Sequence, residues 1–419
     1  MPFLGQFAPP GDKSISHRLV LMSLLAEGRM HVAGLSVCED VNASLDIFRA
    51  LGGSASPEAD GLSVVGLGGR WRGPDNLVLD CRNSGTTFRL LMGLLASRPG
   101  RFVLDGDSQL RRRPMERVAE PLRLMGASVE TQNGKPPVSV VGQALTGIVH
   151  QLTDASAQLK GALLLAGLSA AGRTVVVEPA KTRDHTERLI NHWGGQVAVD
   201  GLRLTLTPGP LTLPPFFAAP GDPSSAAFFL AAAAMIPGSR VTAVNVLLSH
   251  GRTGFLRVLD RMGAKVSMTL TSDTPEPVGE VAVAYDGPLS AVEVSASEVP
   301  SLIDEIPILA LAATQAQGVT IFRQVDELRI KETDRLMSIR HQLGALGARA
   351  AVEGDDLIVE GPTSFILPDS LDSGHDHRLA MTLTMALKAA KASIPVLGRE
   401  SIPVSYPNFD QHLSELWQD

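Results

Sequence analysis

Cysteine is nearly missing from this sequence. Cys38 and Cys81 are its two cysteines, too few for a disulfide framework or a zinc ribbon, and a reducing cytosol is the simplest compartment. Aromatic residues make up 4%, so a core must be assembled mainly from Ala, Leu, Val and Met. A basic excess is missing as well. The formal net charge is −7, which gives no general attraction to nucleic acid or anionic membrane, so any anion site must be made locally. The longest apolar run, Ala226 to Ile236, has 11 residues and stops at Pro237, too short to span a bilayer. The opening MPFLGQFAPPGDKS has no basic stretch followed by an apolar one, so no secretory signal is expected. These absences predict a cytoplasmic protein without nucleic-acid or membrane partners.

What is present is a repeat. Six segments share a polar or small start, a helix-length apolar stretch and then, often, Gly and a β-branched strand. They begin at Ser14, Ser84, Ser156, Ser224, Asp304 and Asp376, and successive starts differ by 70, 72, 68, 80 and 72 residues. Ser and Asp at these starts read as helix N-caps. The helices are apolar all round and rich in small residues, which suits burial between sheets. A second, amphipathic helix follows in most segments, as in VNASLDIFRALGGSAS and RDHTERLINHWGGQVAV, and ends at Gly before alternating strand residues. Each repeat therefore predicts strand, buried helix, strand, amphipathic helix, strand, strand.

A chain of 419 residues exceeds the size at which a single core usually stops growing. The turn APPGDKS at Ala8–Ser14 returns as APGDPS at Ala219–Ser224, as expected of a duplicated three-repeat domain. The predicted domains are 9–220 and 221–419. The leading strand, Pro2 to Phe7, has two possible partners, and residues 1–8 are assigned to the second domain. If the buried helices run parallel within a domain, their N-termini share one face. That face attracts phosphates and carboxylates through free amides and helix dipoles.

The charged residues at these starts are the candidates for chemistry. Lys13 and Ser14 open the first buried helix and Arg18 lies one turn on, although the pair of cations also suits an ordinary surface. PPGDKSISHR lacks the first Gly of a Walker A loop, which argues against nucleoside triphosphates. In Asn83-Ser84-Gly85-Thr86-Thr87-Phe88-Arg89, Gly85 permits close approach to the backbone, or simply a tight turn. Within the basic run Leu110 to Pro114, Pro114 at a first helical position would aim Arg113 at the same face; a solvated loop is the other reading. Ser156-Ala157-Gln158 offers a hydroxyl, an amide and free backbone donors, as any cap would. Asp304 and Glu332, among Lys331, Arg335 and Arg378, are a carboxylate pair of the kind acid–base chemistry on a polar substrate needs, with surface ion pairs as the alternative. Lys331 and Arg335, four apart, are expected on one helix face. His375 and His377 lack further ligands nearby, so no metal is expected.

PGDKSISHR, NSGTTFR, RRRPM, SAQLKGALLLAGL, RIKETDRL and DHRLAM occur in this order along the chain. Together they closely resemble the 5-enolpyruvylshikimate-3-phosphate synthase family over residues 8 to 413. The resemblance implies an α/β fold, the inside-out α/β barrel of the enolpyruvyl transferases, with two domains of three βαβαββ units and the active site in the cleft between them, closing on substrate. It implies transfer of the enolpyruvyl group of phosphoenolpyruvate to the 5-hydroxyl of shikimate 3-phosphate, with release of phosphate and no metal or organic cofactor. By position, Lys13, Ser14, Arg18, Ser156, Ala157, Gln158, Thr182, Arg183, Asp304 and Lys331 match the family's shikimate 3-phosphate site. Lys13, Asn83, Gly85, Arg113, Gln158, Arg335 and Arg378 match its phosphoenolpyruvate site. Lys13, Asp304 and Glu332 match its catalytic groups, and glyphosate is the expected inhibitor of a monomeric enzyme.

Three positions depart from the family's usual pattern. Val404 stands where many members carry a Lys, Ala157 replaces a Ser, and Leu90 stands where some have Pro. The sister transferases acting on UDP-N-acetylglucosamine usually carry a Cys or Asp in the loop matching Leu110 to Pro114, which has neither. A non-catalytic anion-binding relative would be expected to lack Lys13, Asp304, Glu332 or Arg378, and all four are present.

Overall fold

Parallel strands cannot be joined by a tight turn; they need a crossover, usually a helix. The chain solves this with one device, used repeatedly. The structure, a computed structural model, describes residues 1–71 and 76–417. In the clearest example Leu77–Asp80 pairs parallel with Arg101–Asp105 across the buried helix Gly85–Ala96. The second strand then pairs antiparallel with Lys135–Val141, which pairs antiparallel with Ser128–Gln132 after the amphipathic helix Glu116–Leu124. Five four-stranded sheets follow this order among the described residues.

The sheets divide between two compact units, Gly11–Ala219 and Met1–Pro10 with Pro220–Asp419. The leading strand Leu4–Phe7 pairs parallel with Arg240–Leu247. The sheet nearest in sequence takes its outer strand instead from Phe216–Ala218, parallel to Arg29–Ala33. Each unit thus begins one sheet with a strand from a distant part of the chain.

The sixth repeat is shorter than predicted. Leu371–Asp372 pairs parallel with Val396–Leu397 around the helix His377–Ala389. The helix Phe409–Leu416 then follows, with Phe409, His412, Leu413 and Leu416 buried. Burial at that spacing is a helical face, and the antiparallel strand pair expected there is reduced to the isolated bridge of Trp417 with Phe3 among the described residues.

The buried helices are closely packed because their residues are small. Every residue of Pro223–Met235 is buried, and that helix touches both Ile306–Ala313 and His377–Ala389. In the Gly11–Ala219 unit, a Cβ on Gly93 would lie 2.1 Å from the Ala162 carbonyl oxygen, so Gly lets Gly85–Ala96 lie directly on Ala157–Gly167.

Capping follows the prediction in part. Ser84 accepts from Thr87 N at 3.2 Å, Ser156 from Leu159 N at 3.3 Å and Asp376 from Arg378 N at 2.9 Å. Ser14 and Ser224 are not caps. Asp12 and Asp222, the aspartates of the two Pro-Gly-Asp turns, accept from Ile15 N and Ser224 N, each at 2.8 Å. A cap needs non-helical backbone, and both serines already lie inside their helices. Asp304 lies in the 3₁₀ turn Ile303–Glu305 ahead of Ile306–Ala313, a helix with no side-chain cap.

Phe3 shows how firmly the leading strand is held. It is fully buried, its ring lies 4.7 Å from Trp417 and 6.2 Å from Phe229, and its N–H donates to Ser239 Oγ at 2.8 Å. Phe3→Ala is expected to destabilise the Pro220–Asp419 unit by about 3–5 kcal/mol, read as a lower urea midpoint at unchanged m-value.

Candidate active site

Two clusters of charge form at the starts of buried helices, one in each unit. In the Gly11–Ala219 unit, Lys13 is the first residue of the helix Lys13–Met22, and its Nζ pairs with Asp40 Oδ2 at 2.7 Å. Arg18, one turn on, is buried; it donates from Nε to Thr186 Oγ1 at 2.8 Å and from Nη1 to the Ser14 carbonyl at 3.0 Å. A Cβ on Gly161 would lie 3.4 Å from Arg18 Nη2, so this guanidinium also rests against the helix that carries Ser156, Ala157 and Gln158.

Gly85 begins the neighbouring helix, and two guanidinium heads overhang it. A Cβ there would lie 3.0 Å from Arg113 Nη1 and 3.1 Å from Arg89 Nη1. Arg113 Nη2 donates to Asn83 Oδ1 at 2.9 Å. Arg89 Nη1 donates to Gln158 Oε1 at 2.5 Å, and Gln158 Nε2 donates to Thr86 Oγ1 at 2.9 Å. Asn83, Gly85, Arg113 and Gln158 are therefore brought together, with Arg89 as the hinge of the group. Thr182 is buried and turned to Glu178, and Arg183 is half-buried beside it. Leu90 is buried against Gly161, its Cδ2 3.0 Å from where a Cβ would stand.

Arg113 reaches its place by a different route from the one its sequence suggests. Pro114 is not the first helical residue: Met115 precedes the helix Glu116–Leu124, and Arg113 ends the 3₁₀ turn Leu110–Arg112. The other two arginines of the run turn away, Arg111 to Asp105 and Arg112 to the Ser108 carbonyl.

In the Pro220–Asp419 unit, Asp304, Lys331, Glu332, Arg335 and Arg378 all meet. Arg335 is fully buried. Its Nε donates to Asp376 Oδ2 at 2.8 Å, and its Nη2 donates to Glu332. Asp304 Oδ1 lies 3.5 Å from Lys331 Nζ and 3.7 Å from Arg335 Nη1. Arg378 Nη1 donates to the Asp304 carbonyl at 3.2 Å and lies 3.7 Å from Glu305 Oε1. Burial works against the charge of Arg335, but Asp376, Glu332 and Asp304 outweigh it and hold its pKa above the ordinary value. Lys331 and Arg335 do not share a helix face. The helix starts at Arg335 behind an Asp334 cap, and Lys331 is in extended backbone; the turn between them produces the convergence. Val404 is half-buried at the end of the 3₁₀ helix Arg399–Val404.

Sequence reasoning passed over Arg89, Asp40 and the pairing role of Asp376. Arg89 had a signal, since it follows Gly85 by four residues as Arg18 follows Ser14. The partners of Asp40 and Asp376 are 27 and 41 residues away and leave no local pattern.

The fold has clear relatives. The enolpyruvyl transferase NikO from Streptomyces tendae superposes with a TM-score of 0.78 at 20% identity, covering 99% of this chain and 95% of that one. This likeness carries the fold, which is that of the enolpyruvyl transferases. EPSP synthase from Acinetobacter baumannii superposes with a TM-score of 0.86 at 37% identity, over 99% of this chain and 96% of that chain. The 3-phosphoshikimate 1-carboxyvinyltransferase of Synechococcus sp. (strain RCC307) is 43% identical over 426 residues, covering 98% of this chain and 96% of that protein. The protein of the same name from Bacillus velezensis (strain DSM 23117 / BGSC 10A6 / LMG 26770 / FZB42) is 41% identical over 416 residues, covering 98% and 97%. The profile of EPSP synthase (3-phosphoshikimate 1-carboxyvinyltransferase) matches residues 2–413. The chain belongs to the EPSP synthase family. Among the described residues, no helix is long and apolar enough to cross a membrane.

His17 lies beneath the first cluster and titrates abnormally. It is fully buried, with Nδ1 2.8 Å from Ser44 Oγ; Ser44 is 2.8 Å from Thr87 Oγ1, which donates to the cap Ser84 at 2.7 Å. Burial, against the pull of Asp40 and with help from Lys13 and Arg18, lowers its pKa to about 3. A histidine depressed in the folded state contributes stability that is complete above the unfolded value near 6.5 and is lost as pH falls towards 3. Between pH 7 and pH 5 this one group should remove about 2 kcal/mol. His17→Gln, which does not titrate, should lose that much less over the same interval in urea denaturation; an equal loss would refute the assignment.

Proposed function

We propose that the Arg335 cluster binds phosphoenolpyruvate and that the Lys13–Arg18–Gln158 cluster binds shikimate 3-phosphate, in the family's reaction. That reaction transfers the enolpyruvyl group of phosphoenolpyruvate to the 5-hydroxyl of shikimate 3-phosphate and releases phosphate. One observation carries the assignment. Arg335 Nη1 is buried and hydrogen-bonded to no acceptor among the described residues, while the other two nitrogens of its guanidinium are engaged by Asp376 and Glu332. A buried nitrogen that meets Asp304 only at ion-pair distance, 3.7 Å, and makes no hydrogen bond suits the phosphate or carboxylate of a small anion. Arg378 adds a second guanidinium, 4.0 Å from Asp304 Oδ2 and 3.7 Å from Glu305 Oε1.

The chemistry requires a proton on the methylene carbon of phosphoenolpyruvate and loss of the proton from the 5-hydroxyl. The oxygen then bonds to the adjacent carbon, giving a tetrahedral adduct. Loss of phosphate, together with a proton from the new methyl group, restores the double bond. Asp304 and Glu332 are assigned to these proton transfers. Each is held beside cations that favour a carboxylate once the proton has left. Lys13, paired with Asp40, is assigned to the 5-hydroxyl or the departing phosphate. Ser14, Ser156, Ala157, Thr182, Arg183 and Lys331 complete the shikimate 3-phosphate contacts in this reading. The resemblance assigns Lys13, Asn83, Gly85, Arg113 and Gln158 to phosphoenolpyruvate as well. In this reading the enzyme is a cytoplasmic monomer, needs no metal or organic cofactor and is inhibited by glyphosate.

Phosphate release from phosphoenolpyruvate tests the reading, with UDP-N-acetylglucosamine as the control acceptor. Release is expected with shikimate 3-phosphate alone, and Lys13→Ala or Glu332→Ala should lower kcat by about 10²–10⁴. Saturable binding with no release from either acceptor would overturn it.

Glyphosate is longer than phosphoenolpyruvate, and a methyl group at Gly85 would stand 3.0 Å from Arg113 Nη1. Gly85→Ala should therefore raise the glyphosate inhibition constant by on the order of tenfold more than it raises KM for phosphoenolpyruvate. Equal losses for both would remove Gly85 from the inhibitor site.

A further inference from the structure

Lys160 is not among the assigned residues, and the reaction as derived asks for no ammonium at its position. It stands in an otherwise apolar stretch of the helix Ala157–Gly167, and its side chain is 1% exposed. A lysine is buried so completely only when it is paired. Its Nζ donates to Glu187 Oε1 at 2.7 Å and to Glu178 Oε2 at 3.1 Å, and both glutamates are buried as well.

The three partners lie on three different pieces of chain. Lys160 belongs to the helix begun by Ser156, Ala157 and Gln158. Glu178 follows the strand Thr174–Val177 and accepts a hydrogen bond from Thr182 Oγ1, next to Arg183. Glu187 lies in the first turn of His185–His192, beside Thr186, whose hydroxyl accepts from Arg18 Nε at 2.8 Å. One ammonium therefore fixes every piece of chain on which the shikimate 3-phosphate contacts of this unit stand, apart from the helix that carries Lys13 and Arg18, and it reaches that helix through Thr186.

We propose that Lys160 is a positioning residue for shikimate 3-phosphate, holding the Thr182–Arg183 segment and the Thr186–Arg18 bond against the start of the helix Ala157–Gly167. The proposal rests on the assignment of that substrate to this unit. The cluster has two carboxyl groups for one ammonium, and Glu187 Oε2 is buried without a hydrogen-bond partner among the described residues. Burial, opposed by Lys160, pushes the Glu187 carboxyl up. Removing Lys160 alone would thus strand two buried carboxyl groups, whereas replacing the whole cluster by apolar side chains need not destabilise the fold.

Steady-state kinetics on the full chain separates positioning from stability. Lys160→Met is expected to raise KM for shikimate 3-phosphate about tenfold, with kcat and KM for phosphoenolpyruvate within about threefold. The triple variant Lys160→Met, Glu178→Leu, Glu187→Leu covers the case in which the single variant fails to fold. It should recover thermal stability yet keep the raised KM for shikimate 3-phosphate, because Thr182 has lost its acceptor. A return of that KM to the wild-type value in the stable triple variant would overturn the proposal, as would equal rises for both substrates. Arg18→Ala, a direct contact in this reading, is the reference. If it too leaves KM for shikimate 3-phosphate unchanged, the substrate assignment fails and the proposal falls with it. A rise with Arg18→Ala but none with Lys160→Met refutes the positioning role alone.

Discussion

Asp376 is fully buried, and its two oxygens serve both a helix and a guanidinium. Oδ1 accepts from the backbone N–H groups of Arg378 and Leu379, and Oδ2 accepts from Arg335 Nε. A helix that begins inside a core must satisfy its first amides without water, and here the carboxylate does so. A buried carboxylate in turn needs a cation. The same constraint recurs at Asp222, which caps Pro223–Met235 and pairs with Arg252 Nη2 at 2.7 Å. Buried helices, buried caps and buried arginines form one linked problem, and the candidate site is where its solutions lie.

This linkage explains how an acidic protein can bury organised cations, as the proposed anion sites require. The net charge is −7, yet Arg335, Arg18 and Arg89 are all buried with their polar partners. Each is held by groups on other helices, so little conformational freedom remains to be lost when an anion arrives. Charge is thus organised locally, and the surface composition has little bearing on it.

The repeat shows how much of this was legible. Small apolar helices at intervals of about 70 residues, most followed by an amphipathic helix and strands, were readable because helical and strand periods are local properties. Ser84, Ser156 and Asp376 were readable as caps for the same reason. Asp12 and Asp222 were misread as Ser14 and Ser224, since a cap two residues earlier leaves the same apolar pattern behind it. The sixth repeat was overextended because its opening matches the others and only its final helix differs. Placing Lys331 and Arg335 on one helix failed because spacing alone cannot reveal that Asp334 caps the helix between them.

The sequence by itself determined the six repeats, the α/β class and, through its motifs, the family to which the chain belongs. These follow from short-range periodicity and from residue types that stay together along the chain. Only the tertiary structure decided that Leu4–Phe7 pairs with Arg240–Leu247, that Arg335 rests on Asp376, and that Lys160 joins Glu178 and Glu187. Strand partners and ion pairs between distant segments are chosen by which buried groups would otherwise go unsatisfied. That choice exists only once the chain has closed around them.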